Sequence, residues 1–162
     1  MIVFLILAAC GQRSTPVQWK TAYSAAECKA LTERDAFLQR CYGGKDFADE
    51  NYVGDLKCMP YSPPQHFTGV WVLDLEYSAF FPNATSYKEP QDRADWIWLR
   101  AEPPPSSDVI AAGQGAGTRA YAVDLIGRRS LCEFNYGHMG AAPQEVIAER
   151  IIAMRPLPVP RQ

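Results

Sequence analysis

The run Phe67-Thr68-Gly69-Val70-Trp71-Val72-Leu73-Asp74-Leu75-Glu76-Tyr77 switches the chain from helical to strand periodicity. Apolar residues stop recurring every three or four positions and begin to alternate, as side chains on opposite faces of a strand do. Val70, Val72, Asp74 and Glu76 share one face, and Trp71, Leu73, Leu75 and Tyr77 share the other. The second face is apolar throughout and is expected to be buried.

Downstream, Asp95-Trp96-Ile97-Trp98-Leu99-Arg100 is apolar on both faces, as a central or barrel strand would be, and Pro103-Pro104-Pro105 ends it. Residues 106–117 are rich in small residues and form a connection long enough to read as a flexible hairpin or functional loop. Residues 119–126 and 129–134 read as a strand pair around Gly127. In 145–154, Val146, Ile147, Ile151 and Met154 suit a helix face, but the β-branched content favours a strand, which is the assignment taken. Pro156, Pro158 and Pro160 mark an extended tail. Upstream, Ser24-Ala25-Ala26-Glu27 has the form of a capping box, in which serine hydroxyl and glutamate carboxylate each satisfy an orphan amide. A helix over 24–40 should follow, with Cys28, Leu31, Phe37, Leu38 and Cys41 inward and Gly43-Gly44 as its stop. The prolines and acidic residues of 45–65 predict an ordered loop. The class is α+β, mainly β: a small barrel or strongly bent antiparallel sheet with one N-terminal helix. An oligonucleotide/oligosaccharide-binding-like barrel is one topology open to such a chain.

The apolar run at residues 2–9 ends in Leu7-Ala8-Ala9-Cys10-Gly11, which resembles the lipobox of bacterial lipoproteins. The resemblance implies that residues 1–9 are a signal segment and that Cys10 becomes the acylated first residue. Residues 10–22 would then be a tether and 23–162 a single globular domain. It also implies a cell-envelope address facing the periplasm, with the absence of an aspartate after Cys10 favouring the outer membrane. The apolar run is far short of the roughly 20 residues that cross a bilayer as a helix, so the membrane partner would be reached through lipid alone.

With Cys10 assigned to lipid, four of the five cysteines remain, and an oxidising periplasm would let Cys28, Cys41, Cys58 and Cys132 form two disulfides. Along a continuous helix Cys28 and Cys41 would stand about 20 Å apart, too far to bond. The preferred pairing is Cys41 with Cys58 and Cys28 with Cys132, the swapped pairing remaining open. Zinc is disfavoured because no CxxC occurs and His66 and His138 lack ligand spacing to the cysteines, so neither metal nor cofactor is expected. A net charge of −2, with both signs interspersed, argues against nucleic acid as a partner.

Gly113-Gln114-Gly115-Ala116-Gly117 is glycine-rich, but a strand follows it where a phosphate loop needs a helix. Tyr136-Gly137-His138-Met139-Gly140 follows Arg128 and Arg129 and offers His138 as an acid or base, against the plainer reading of a tight turn whose histidine bonds to backbone. Asp74 and Glu76 could form the carboxylate pair of a glycan hydrolase, or be solvated face residues. Among the aromatic residues, Phe80 and Phe81 precede Pro82 at a strand end and are the expected partner contacts, with Tyr136, Arg128 and Arg129 as a polar rim. The expectation is a non-catalytic envelope module that binds a protein or glycan. The alternative is a cell-wall or glycan hydrolase using Asp74 or Glu76 with His138.

Overall fold

The computed structural model describes residues 21–42, 56, 58–91, 95–102 and 117–160. The lipobox with Cys10, most of the tether, Gly43-Gly44, residues 45–55 and the connection 106–116 lie outside them.

Ser24 caps α1 (Ala25–Thr32) through the expected box: its hydroxyl accepts from the Glu27 amide at 3.3 Å, and the Glu27 carboxylate accepts from the Ser24 amide at 2.9 Å. The single helix expected over 24–40 is instead two, because Glu33 adopts extended ψ (130°) before α2 (Arg34–Tyr42) begins. Thr32 precedes the break, and its hydroxyl donates back to the carbonyls of Cys28 and Lys29, a bond that competes with helix continuation.

Five strands follow: β1 (Gln65–Leu73), β2 (Ser78–Pro82), β3 (Ile97–Ala101), β4 (Arg119–Arg129) and β5 (Glu145–Leu157). They close into a barrel in the order β1-β2-β3-β5-β4, antiparallel except for β3 beside β5. The chain is thus a mainly β, α+β small barrel, closed by five strands in non-sequential order.

All five strands contribute to one cluster, Trp71, Phe80, Ile97, Leu99, Val123, Leu125, Val146 and Ala148, which is therefore the barrel interior. Val70 and Val72 on the opposite face of β1 are also buried, contrary to expectation, because Ala79, Phe81, Trp96, Tyr87 and Ala142 pack over that side. A third cluster lies under the helices, where Phe37, Met59, Tyr61, Cys132, Tyr136 and Ile147 meet.

Three strand assignments change. β1 stops at Leu73, so Leu75 sits in a turn and is 72% exposed. Residues 119–129 are one strand, with Gly127 inside it pairing both Gln65 and Ala148. Glycine marks close approach there, since a Cβ would lie 2.4 Å from the Ile147 carbonyl oxygen. Residues 130–134 are not a strand beyond an isolated bridge from Ser130 to Tyr61. The strand assignment for 145–154 holds and extends through Pro156, with register shifts that leave Glu149 and Ile152 without a partner on β4.

Cys28 and Cys132 form a disulfide with Cα atoms 5.3 Å apart, fastening α1 to the segment after β4. Among the described residues no bond joins Cys41 to Cys58, the second expected pair; both pack in or against the cluster under the helices. An even count permits such a bond without requiring it, because a cysteine thiol also packs as a small apolar group.

Candidate functional site

Two turns bring the expected acid and base together. The β1–β2 turn is shaped by Asp74, whose backbone amide donates to the Tyr77 carbonyl at 2.9 Å. Its carboxylate accepts from the Leu75 amide at 2.6 Å and from the Thr118 hydroxyl at 2.5 Å. Asp74 is therefore a turn former with both oxygens engaged, and it does not share a strand face with Glu76. Glu76 stands one position beyond the tip and approaches His138 Nε2 at 3.6 Å.

His138 opens a single turn of 3₁₀ helix, His138–Gly140, and the Ala141 amide closes it on the His138 carbonyl at 3.0 Å. Gly137 makes that turn possible. Its φ is +75°, and a Cβ there would lie 2.0 Å from the Trp98 ring, so the backbone lies flat against the indole. The tight-turn reading thus holds for the backbone, while the imidazole faces Glu76 rather than a backbone group. Side-chain exposures of 50% for His138 and 65% for Glu76 place the pair in high dielectric, where such a contact is worth a fraction of a kcal/mol.

Other candidates are redistributed. Phe80 and Phe81 are 0% and 4% exposed, the first inside the barrel and the second beneath the cover on its outer face. They are core residues, since the strand end that should have exposed them is overlaid by the segment carrying Ala84 and Tyr87. Tyr136 is also fully buried, its hydroxyl donating to the Cys132 carbonyl at 3.1 Å. Arg128 donates from Nε to Glu149 at 2.5 Å, and Arg129 donates to Gln144. The two arginines remain at the surface and Tyr136 does not, so the expected rim is split. His66, by contrast, lies 2.6 Å from Asp124 across β1 and β4.

The residue that sequence reading missed is Glu145, a carboxylate with only 1% exposure at the start of β5. Its Oε2 accepts from the Tyr61 hydroxyl at 2.5 Å and its Oε1 from Arg100 Nε at 3.2 Å. Arg100 also pairs with Glu102. Burial raises the Glu145 pKa above the ordinary carboxylate value, with the Arg100 charge and the Tyr61 bond opposing. The group spans the parallel β3–β5 pairing and ties the segment before β1 onto it; the Ser62 amide donates to the Arg129 carbonyl in the same place. Nothing in the local pattern distinguishes buried Glu145 from half-buried Glu149 four residues on.

No protein-family model, curated protein or solved structure matches this chain. Inference about its role therefore rests on its own residues.

Proposed function

We propose that this chain is a lipid-anchored module of the bacterial cell envelope, held by Cys10 and facing the periplasm, that binds a protein or glycan partner without transforming it. The observation that carries the reading is the Cys28–Cys132 bond between positions 104 apart. Such bonds form and persist mainly where export places a protein in an oxidising compartment. The lipobox resemblance supports the same address independently. The Asp74 carboxylate, committed to its turn, leaves the two-carboxylate chemistry of a hydrolase without one of its members.

The test is peptide mass analysis of the full chain expressed in a bacterial host. An acylated Cys10 peptide and a Cys28–Cys132 cross-linked peptide are expected. An unmodified Met1 together with reduced thiols overturns the proposal. The approach of Glu76 to His138 favours a second reading, a glycan hydrolase using that pair. It requires His138→Ala to abolish turnover of a cell-wall or glycan substrate.

A further inference from the structure

A cleft of about 460 Å³ opens where β2 ends, β3 begins and the β4–β5 connection returns, lined among others by Asp95, Trp96, Arg129, Glu133, Pro143 and Gln144. Its volume falls in the range of small-molecule sites. The charges on its walls differ from those of two other half-buried arginines of the barrel. Half-buried Arg100 engages Glu145 and Glu102, and half-buried Arg128 engages Glu149. Half-buried Arg129 instead donates from Nε (3.0 Å) and Nη2 to one neutral oxygen, Gln144 Oε1. Among the described residues, neither Arg129 nor the exposed Asp95 and Glu133 enters a salt bridge, although all three line one cleft.

The arginine is held in place. Its backbone amide donates to the Ser62 hydroxyl at 3.1 Å, its carbonyl accepts from the Ser62 amide at 2.9 Å, and Gln144 fixes the guanidinium plane. A pre-oriented guanidinium with donors to spare is a carboxylate receptor. Two carboxylates in the same cleft are receptors for ammonium groups. One fixed cation and two anions sum to −1, the complement of a ligand with one carboxylate and two ammonium groups. Trp96 and Pro143 in the lining provide apolar contact for the methylenes between them.

We propose that this cleft binds a free lysine-like diamino acid. Arg129 takes the carboxylate, and Asp95 and Glu133 take the two ammonium groups. The inference rests on reading the chain as a binding module. Its failure would leave the lipid anchor untouched, because the anchor is read separately from the mass of the Cys10 peptide.

The experiment titrates ¹⁵N-labelled full-length chain with lysine to about 20 mM, within the weak range expected of an open site. Shifts of the Trp96 indole and the Gln144 side-chain amide are followed. Norleucine lacks the second ammonium and cadaverine lacks the carboxylate; both should bind about tenfold more weakly, equivalent to about 1.4 kcal/mol. Arg129→Gln should bind lysine and cadaverine alike, and Glu133→Gln should lose the preference for lysine over norleucine, so either variant carries the test if the other does not fold. The lysine of Lys-Gly-Gly lacks the carboxylate and that of Gly-Gly-Lys lacks the α-ammonium, so each tripeptide should also bind about tenfold more weakly than lysine, and binding of either as tightly as lysine overturns the proposal. The proposal is overturned if lysine produces no saturable shift. Equal binding of lysine, norleucine and cadaverine overturns it too, as does a neutral hexose that moves the same signals equally in wild type and Arg129→Gln.

Discussion

Replacing Cys28 and Cys132 together by alanine should cost the fold several kcal/mol, on the order of what a long closed loop contributes. The bond joins positions 104 apart. In the chain-entropy account, cross-linking a loop of about 100 residues removes enough freedom from the unfolded chain to stabilise the fold by about 4.7 kcal/mol at 25 °C. Cysteine to alanine at buried Cys132 adds a small packing loss in the same direction. With a urea dependence of about 2 kcal/mol per molar, the unfolding midpoint should fall by about 2 M. The assay is urea unfolding of oxidised wild type and double variant followed by tryptophan fluorescence. The slope should steepen in the variant, because the uncross-linked chain unfolds to a more expanded state. A midpoint loss below about 0.5 M would refute the reasoning, since it would mean that native contacts alone hold α1 against the barrel.

Three further outcomes are expected. Gly137→Ala combines a positive φ with a Cβ placed 2.0 Å from the Trp98 ring, so it should destabilise by about 1–3 kcal/mol or more and alter near-ultraviolet circular dichroism; an unchanged spectrum and melting curve would contradict the geometry. Phe81→Ser should cost about 3–5 kcal/mol while Leu75→Ser changes stability by less than about 0.5 kcal/mol, a contrast that calorimetry would reverse if Phe81 were the exposed partner contact. Because burial raises the Glu145 pKa, the folded state binds the proton more tightly than the unfolded chain, and this group's contribution is full below the ordinary carboxylate pKa and lost as pH rises through the raised one. Wild type should therefore gain stability relative to Glu145→Gln as pH falls, and urea midpoints that diverge the other way would sink that assignment.

The capping box was legible because it is local: four residues carry both donors and both acceptors. The barrel class was legible from alternation in 67–73 and from the doubly apolar 96–99. β5 was hard for a physical reason. Its interior residues, Val146, Ala148, Ile151 and Met154, are spaced by two, then three, then three, because Glu149 and Ile152 are skipped in the pairing with β4. Two bulges thus give a strand the spacing of a helix face. Gly127 misled in the opposite way, since a glycine needed for close approach looks the same in sequence as one needed for a turn. The convergence of Glu76 and His138 and the burial of Glu145 depend on which loops meet over the barrel. That is information carried by strand order and absent from any short window of residues.

The Cys28–Cys132 bond also divides the strands topologically. Backbone and sulfur together make a covalent circle from Cys28 to Cys132 that contains β1, β2, β3 and β4, while β5 lies outside it. Yet β5 is the stave that stands between β3 and β4. In the oxidised protein β5 is therefore the one strand that can leave the barrel without moving a part of that circle, and a neighbouring molecule's β5 would fill the same gap in an exchanged dimer whose disulfides remain intact.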